Sequence, residues 1–277
     1  MDISALKTFL EVVKTRHFGH AAENLFVSQS TVSARIKALE ENLATELFVR
    51  ERSNIHLTPS GEALVAHAKS ILTLWGRARQ HVAMPEDIVH TLNIGGLSGL
   101  WDSSLQNWLA DVGKMDLPLA ITADTYSAST MIDRIMNGTM DLAFMYDPPQ
   151  GLNLISQPLK TIQLRLVSSA SKETLKSALG KGFINVNWGI NFGVQFATQF
   201  PNLGVSHLNT GLGRIAFNYL KRHRGSAYLA EPFVEPFVQA GELFYVNDAP
   251  IFERKAYSIY HQENAKVNLI QSIISEL

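Results

Sequence analysis

Residues 18 to 58 constrain the fold of this chain more than any other stretch. They run from Phe18-Gly19-His20-Ala21-Ala22 through Ser28-Gln29-Ser30-Thr31-Val32-Ser33 to Leu57-Thr58. The pattern predicts a short helix, a tight turn, a second helix with a small and polar exposed face, and then a basic hairpin. A helix-turn-helix needs this order to place side chains against base edges in a DNA major groove.

Helical spacing of apolar residues predicts three helices before residue 44. The first, over residues 3–14, has an apolar face made of Ile3, Leu6, Phe9, Leu10 and Val13. A shorter helix follows from Phe18 to Asn24. Ser28 is expected to cap the third helix, because its hydroxyl can accept a hydrogen bond from a backbone N–H of the first turn.

The third helix has two contrasting faces. Its buried face is predicted to consist of Val32, Ile36, Leu39 and Leu43. The opposite arc carries Ser30, Ser33, Ala34 and Lys37, with Thr31 and Arg35 on its flanks. Since few large side chains project there, this helix can approach base edges closely. A surface helix without a ligand is the alternative interpretation.

A hairpin and a long helix complete the N-terminal region. Leu47-Phe48-Val49 and Asn54-Ile55-His56-Leu57 predict two short strands joined by Glu51-Arg52-Ser53. Such a hairpin beside a helix-turn-helix is a wing, whose arginines can reach phosphates or the minor groove. Thr58-Pro59 then predicts the N-cap and first residue of a helix over about 59–83.

The long helix carries a heptad-like apolar stripe made of Leu64, Ala68, Ile71, Trp75, Ala78 and Val82. Pairing with a second copy of the chain is the favoured interpretation, since the winged module is complete without this helix. The alternative is that the stripe packs on the core of its own domain. Met84-Pro85-Glu86-Asp87 is expected to end the helix and form a hinge.

After about residue 90, strand-like and helix-like segments alternate. Strands are predicted at 92–97, 117–123, 141–146, 152–159, 161–168, 183–186, 244–246 and 255–260. Helices are predicted from a cap at Ser98 to Val112, at 126–137, at 171–179, from near Phe192 onward, and at 266–277. This alternation is typical of an α/β fold with a mainly parallel sheet. We expect a first lobe of about 89–160 and 245–277, and a second of about 161–244.

Composition favours an ordinary cytoplasmic protein. With 277 residues the chain can form about two or three domains. It has no cysteine, which removes disulfides and thiolate metal sites, and no apolar run of about 18 residues that could span a bilayer. The start, Met1-Asp2-Ile3-Ser4, lacks the basic and apolar regions of a secretory signal.

The distribution of charge is more informative than its sum of −1. The first 60 residues carry seven Lys/Arg and seven Asp/Glu, whereas residues 26–39 contain Arg35 and Lys37 and no acid. A dipolar module of this kind can orient on DNA phosphates. Its affinity as a monomer should be modest, so a dimer is expected.

Two other classes of protein are weaker interpretations. An enzyme is disfavoured because Leu100 breaks the G-x-S-x-G spacing that begins at Gly96-Leu97-Ser98, and the chain has no GxGxxG, P-loop or HExxH motif. We therefore expect no catalytic residues, metal or cofactor. A solute-binding protein would share the C-terminal fold. The missing export signal and the N-terminal helix-turn-helix with its hairpin (residues 1–60, here named the reading head) argue against it.

The N-terminal pattern resembles the LysR-type transcriptional regulators. The residues that carry the resemblance are Leu6, Phe9, Ala21-Ala22, Leu25, Ser28-Gln29, Val32-Ser33, Ile36, Leu39-Glu40, Leu47-Phe48, Arg50, Leu57-Thr58 and Gly61. It is dense over residues 2–65 and diffuse afterwards. The chain departs from the family pattern at Ala34, Ala44-Thr45 and Ser53, so the resemblance assigns no DNA contact to positions 34 and 53.

The resemblance implies an architecture and partners. A winged helix-turn-helix (1–58), a linker and dimerisation helix with a hinge (59–88), and a two-lobed α/β domain similar to periplasmic binding proteins (89–277) are expected. Two winged modules would read a partly palindromic site on double-stranded DNA, and two dimers would form a tetramer. RNA polymerase is a further partner, and no membrane is expected. Leu6–Val12, Thr15–Gly19 and Trp188-Gly189 are similar to a subgroup associated with control of the flagellar master operon.

The same resemblance assigns roles to single residues on the reading head. Gln29, Ser30 and Ser33 are expected to contact bases, with Thr31 and Arg35 as weaker candidates. Gln can form two hydrogen bonds to adenine, whereas Ser can form a hydrogen bond to more than one kind of base. Lys37, Arg50 and Arg52 are expected to contact phosphates. Such contacts fix the position of the protein on the duplex but do not select its base sequence.

An effector cleft is expected between the C-terminal lobes, because ligands of such sheets lie at the carboxyl ends of strands. The candidates are Ser98, Gly99, Tyr126, Ser127, Asp147, Asn187, Trp188, Asn191 and Thr210. An ordinary cap or turn role is the simpler interpretation for each of them, and packing in the core or hinge is the simpler one for Trp188. With no arginine evident in the cleft, we expect a small, weakly charged effector or none.

Overall fold

The computed structural model of the chain describes residues 2–51, 54–82, 88–115, 117–149, 153–275 and 277. Contacts divide the chain into two units, Met1–Glu86 and Asp87–Leu277. Each unit has its own apolar core. None of the described helices combines the length and the apolar character that crossing a membrane requires.

The first unit consists of four helices and a hairpin. In chain order they are α1 (Ile3–Thr15), α2 (Phe18–Asn24), α3 (Gln29–Leu43), β1 (Phe48–Glu51), β2 (Asn54–Leu57) and α4 (Pro59–Val82). β1 and β2 are antiparallel, with Phe48 opposite Leu57 and Arg50 opposite Ile55. The predicted helices and hairpin of this region are confirmed to within about two residues at each end.

Side-chain caps explain where these helices begin. The Ser28 hydroxyl accepts a hydrogen bond from the Thr31 backbone N–H (3.2 Å), as predicted for the start of α3. The Thr58 hydroxyl accepts one from the Gly61 backbone N–H (3.0 Å) and caps α4. Each cap supplies a partner to a first-turn N–H that has no intrahelical acceptor.

The core of the first unit lies where α1, α2 and α3 meet the hairpin. Its most buried members are Leu6, Phe9, Val12, Ala21, Val32, Ile36, Leu39, Leu47, Phe48 and Ala68. The prediction that Leu43 joins them is wrong, since its side chain is 40% exposed. Leu43 is the last residue of α3, and Ala44 then takes a left-handed conformation (φ 50°) that leads the chain away from the core.

The second unit alternates strands and helices. In order they are β3 (His90–Gly96), α5 (Ser98–Leu100), a π-helical turn (Trp101–Leu105), α6 (Gln106–Val112), β4 (Leu119–Thr125), α7 (Ala128–Met136), β5 (Leu142–Met145), β6 (Leu154–Ser168), α8 (Leu175–Ala178), β7 (Phe183–Val186), α9 (Ile190–Gln199), β8 (Leu208–Thr210), α10 (Gly213–Leu220), β9 (Ser226–Ala230), α11 (Glu231–Gln239), β10 (Phe244–Tyr245), β11 (Phe252–His261) and α12 (Val267–Ile274).

The sheet is mixed, so the prediction of a mainly parallel sheet is wrong. Its order is β4-β3-β5-β11-β6-β9-β7-β8, with β10 paired to β6. β3 is parallel to β4 and β5 in what we name lobe I, and β7 is parallel to β8 and β9 in lobe II. The long strands β6 and β11 connect the lobes in opposite directions, and for that reason they pair antiparallel.

Several local predictions for this unit also need correction. A single strand, β6, replaces the two predicted at 152–159 and 161–168, and the irregularity at this point is a shift in the β11 register between Lys255 and Tyr257. The helix predicted at 171–179 shortens to α8, and β8, α10, β9 and α11 were not predicted. Ser98 does not cap α5, since the N-cap is Leu97 and Ser98 is the first helical residue.

Two glycines of α4 should respond in opposite ways to alanine. A Cβ on Gly61 would lie 2.2 Å from the Leu47 carbonyl oxygen, whereas nothing lies within 4 Å of a Cβ on Gly76. We expect Gly61→Ala to lower the free energy of unfolding by about 2–3 kcal/mol through overpacking, and Gly76→Ala to raise it by about 1 kcal/mol through helix propensity. Urea unfolding of both variants tests this, and a neutral Gly61→Ala would contradict the close approach of α4 to the hairpin.

Candidate nucleic-acid interface and interlobe cleft

The face of α3 that was predicted to read bases is open to solvent in the first unit. Gln29, Ser30, Ala34 and Lys37 are exposed, and Thr31, Ser33 and Arg35 are half-buried. On the other side of the helix, Val32, Ile36 and Leu39 are at most 2% exposed. The packing of one face therefore determines which side chains the helix presents.

The start of α3 combines hydroxyl groups with a positive helix end. The Ser28 hydroxyl oxygen lies 2.8 Å from those of both Ser30 and Thr31. The first turn contains no acidic residue, so the partial positive charge of the helix N-terminus is not offset locally. This end of the helix suits an anionic partner such as a phosphate group.

Arg35 is directed towards α1. Its Nη1 donates to the Thr8 hydroxyl at 3.4 Å. The pKa of the Asp2 carboxyl is lowered, chiefly by hydrogen bonds from Ser4 and to a smaller extent by the charge of Arg35. Arg35 thus has partners within the first unit, whereas the small side chains of the arc point outward.

The structure shows different amounts of detail for the three residues that were predicted to contact phosphates. Lys37 lies on α3 with its side chain 75% exposed and its Nζ 3.8 Å from Glu41, a pair that contributes little because both groups are solvated. The backbone of Arg50 lies in β1 opposite Ile55. Arg52 lies outside the described residues.

One exposed residue of the reading head was missed from the sequence. Phe26, in the turn between α2 and α3, is 94% exposed and has a φ of 55°. A left-handed conformation is uncommon for an aromatic residue. An apolar side chain in a turn that usually carries small or polar residues was the available signal.

The apolar stripe of α4 divides into two halves. Ala68 is fully buried, and Leu64 and Ile71 pack against the core of the first unit. The prediction that the stripe faces a second copy is wrong for Ala68, because the core of the first unit already covers it, whereas Leu64 and Ile71 are half-buried. Further along, Trp75 is 48% and Val82 is 86% exposed. Ala78, also in this second half, is exposed as well.

In the second unit, aromatic packing joins the two lobes. Trp188, which follows β7, is 4% exposed and donates from Nε1 to the Tyr228 carbonyl oxygen at 2.9 Å. Its ring packs edge-on against the ring of Tyr146, with 6.3 Å between the two ring centroids. A Cβ on Gly99 would lie 2.3 Å from Trp188 Cζ3, so a glycine is needed where α5 approaches this ring. Trp188 packs in the core, as the simpler interpretation held.

Asp147 is the centre of a polar cluster between the lobes. Its Oδ2 accepts from Arg254 Nη2 at 2.6 Å, and its Oδ1 accepts from Asn191 Nδ2 at 2.6 Å. Arg254 is 4% exposed, and its guanidinium lies 5.1 Å from the centre of the Tyr146 ring. The cluster joins the end of β5 in lobe I to α9 in lobe II.

Two further contacts cross between the lobes. Asp102, in the π-helical turn, accepts from Arg214 Nε and Nη2, both at 2.9 Å. The Ser98 hydroxyl donates to the Gly211 carbonyl oxygen at 3.3 Å. Single π turns within helices are common at functional sites, and here one positions Asp102 opposite lobe II.

The other predicted cleft residues have local roles. Ser127 caps α7, and Tyr126 donates to Asp124 at 2.8 Å and accepts from Arg134 at 3.0 Å. Asn187 accepts from the Gly189 N–H at 2.9 Å, and Thr210 accepts from the Leu212 N–H at 3.1 Å. Asn187 and Thr210 also line a cavity of about 560 Å³ on lobe II, beside Phe192 and Phe196.

Comparison with known proteins identifies the family. Residues 3–62 match the model of the bacterial regulatory helix-turn-helix protein, lysR family. The HTH-type transcriptional regulator HdfR of Yersinia enterocolitica is 33% identical over 284 residues, covering 99% of this chain and 95% of that protein. The chain belongs to the LysR family of transcriptional regulators. HdfR of Yersinia pestis is 32% identical over the same span.

Solved structures of LysR regulators share the fold. Full-length CbnR complexed with its target DNA has a TM-score of 0.73 at 17% identity and covers 100% of this chain and 98% of that one. A full-length OxyR variant from Pseudomonas aeruginosa has a TM-score of 0.59 at 19% identity, covering 100% and 94%. The N-terminal winged helix-turn-helix and the C-terminal two-lobed α/β domain are thus confirmed as the fold of a LysR-type regulator.

The prediction that no arginine lies between the lobes is wrong. Arg254, which is buried, and Arg214, which is 51% exposed, both contact residues of lobe I. Alternation along β11 was the available signal, because Phe252, Arg254 and Ala256 are buried while Glu253 and Lys255 are exposed. An arginine on the inward face of a strand indicates a buried partner.

Two buried tyrosines should differ in their response to loss of the hydroxyl. The Tyr146 hydroxyl has no hydrogen-bond partner among the described residues, whereas the Tyr228 hydroxyl donates to the Pro250 carbonyl oxygen at 3.1 Å. Burial raises the pKa of both groups, so both are neutral at ordinary pH.

We expect Tyr146→Phe to leave the free energy of unfolding unchanged or raise it by about 1 kcal/mol, and Tyr228→Phe to lower it by about 1 kcal/mol. Urea denaturation of the two variants provides the measurement. A loss greater than about 1 kcal/mol in Tyr146→Phe would show that its hydroxyl has a partner after all.

Proposed function

We propose that this LysR-type regulator reads DNA sequence with the exposed arc of α3. The observation that carries the proposal is the burial of Val32, Ile36 and Leu39, which turns Ser30 and Ser33 outward, while Gln29 is exposed in the first turn of the helix. These side chains are small or slender enough to let the helix enter a major groove, where Gln recognises adenine in a bidentate way. Thr31, on the flank, is a secondary contact.

Phosphate contacts complete the proposed interface. Lys37 on α3 and Arg50 on β1 are assigned to the DNA backbone, and the resemblance to the family adds Arg52. Arg35 is given a supporting role, because its guanidinium donates to the Thr8 hydroxyl of α1. The helix N-terminus at Ser28 adds a further site for a phosphate group.

A second copy of the chain is proposed as an obligatory partner. The reading head is neutral over residues 1–60, so one module alone gains little from phosphates. Trp75, Ala78 and Val82 form the exposed half of the α4 stripe and would pair with the same residues of the second copy. By analogy with the family, two such dimers would form a tetramer on DNA and contact RNA polymerase in the cytoplasm.

The regulated genes are proposed to include flagellar or motility genes. Support comes from the likeness to regulators named HdfR, which extends over 99% of this chain and therefore includes the C-terminal lobes as well as the reading head. The cleft between these lobes is proposed as the regulatory site. Its candidate contacts are Ser98, Asp147 and Asn191, with Asn187 and Thr210 lining the neighbouring cavity and Trp188 packed behind Gly99.

The proposed function can be tested with a labelled duplex from the region upstream of the chain's own gene. Gln29→Ala should weaken binding to this duplex by about 1–3 kcal/mol and leave binding to unrelated DNA unchanged. Arg50→Ala should weaken binding to both duplexes and reduce the slope of log K against log salt by about 1. Fluorescence anisotropy across a salt titration measures both effects.

Each variant is the control for the other in this experiment. Equal loss on both duplexes in Gln29→Ala would remove that residue from base recognition. An unchanged salt slope in Arg50→Ala would remove it from the interface, and absence of binding by the unmodified chain at low salt would contradict the proposal as a whole.

Self-association through α4 generates a separate prediction. Trp75→Glu should convert the dimer to a monomer, because it places a charge at the centre of the exposed apolar seam. Leu74 is the matched control, since it is 43% exposed and lies on the same helix outside the seam. Sedimentation velocity should show that Leu74→Glu remains dimeric. If Leu74→Glu dissociates and Trp75→Glu does not, the seam has been assigned to the wrong face.

A further inference from the structure

Arg254 is a buried cation at the junction of the two lobes. It lies on β11 next to the register shift at Lys255, and its Nη2 is 2.6 Å from Asp147 Oδ2. Its Nε has no hydrogen-bond partner among the described residues. A guanidinium that is 4% exposed needs a counter-charge, and Asp147 of lobe I supplies it.

Asp147 is held as a bound carboxylate would be. One oxygen accepts from Arg254, on a strand that connects the lobes, and the other from Asn191 of lobe II, so both oxygens are engaged. Gly189 has a φ of 98°, and a Cβ there would lie 2.9 Å from Asp147 Oδ2 and 3.0 Å from Arg254 Nη2. The backbone at Gly189 thus approaches the ion pair closely, and the Asp147 side chain stays 33% exposed while Arg254 is buried. Charge-assisted hydrogen bonds of this kind are short and strong.

We propose that Asp147 is a built-in counter-ion of Arg254 and fills the place between the lobes that the carboxylate of a small ligand would take. Because this position is filled by the chain itself, the lobes are held together without a ligand, and small carboxylates find no unmatched guanidinium between them. The inference rests on the proposed regulatory role of the cleft. Small carboxylates are the class of ligand that the cleft rejects, and Asp147 is the residue that rejects them.

Removal of the side chain should turn the cleft into a carboxylate receptor. Asp147→Ala should lower the melting temperature of the full chain by roughly 6–12 °C, because it leaves a buried charge unpaired. Sodium formate should then restore about 3 °C or more relative to sodium chloride at the same ionic strength, in a saturable way. The unmodified chain should melt at the same temperature in both salts.

Asp102→Ala is the matched control. It breaks the other ion pair between the lobes, but Arg214 is 51% exposed and is solvated without its partner. We expect no difference between formate and chloride for this variant. The proposal is overturned if the unmodified chain is stabilised by formate as strongly as Asp147→Ala, or if folded Asp147→Ala responds equally to formate and chloride.

A second variant decides the matter if Asp147→Ala does not fold in either salt. Asp147→Asn keeps the shape of the side chain and removes its charge, so it should fold, melt at a lower temperature and show no recovery in formate. A melting temperature equal to that of the unmodified chain would overturn the proposal. Binding of the unmodified chain to DNA, measured on the same preparation, tests the proposed function separately and does not depend on the formate result.

Discussion

The burial of one face of α3 is the constraint on which the reading head depends. Val32, Ile36 and Leu39 are almost completely withdrawn from water, and burying each such side chain contributes about 1.5–3 kcal/mol. Because successive residues of a helix are separated by about 100°, anchoring these three directs the Ser30 and Ser33 side to the outside. Rotation of the helix to bury that polar side would expose the apolar one.

The C-terminal unit has a comparable constraint in its buried cation. Arg254 lies on one of the two strands that pass between the lobes, and its counter-charge comes from the loop after β5 in lobe I. A buried guanidinium without a partner would be strongly destabilising, so the pair couples the positions of the lobes. The contact of Trp188 with Gly99 and the pair between Asp102 and Arg214 act across the same junction.

Local structure alone does not reveal which helix start is functional. Ser28-Gln29-Ser30-Thr31 begins α3, and Ser127-Ala128-Ser129-Thr130 begins α7, with nearly the same hydrogen bonds. The Ser28 hydroxyl lies 2.8 Å from those of Ser30 and Thr31, and the Ser127 hydroxyl lies 3.1 and 2.8 Å from those of Ser129 and Thr130. Both starts were predicted to bind a partner. The difference lies in their surroundings, since α3 precedes a basic hairpin and α7 lies on an α/β lobe.

The sequence by itself determined the elements of the reading head, because caps such as Ser28 and Thr58 and the apolar spacing of α1 and α3 act within a few residues. Tertiary structure decided which half of the α4 stripe is covered, because Ala68 meets a core assembled from α1 and the hairpin while Trp75 lies beyond it. It also decided the mixed sheet and the ion pair between the lobes. Arg254 and Asp147 are 107 positions apart in the chain, and only the antiparallel passage of β6 and β11 between the lobes brings their charges into contact.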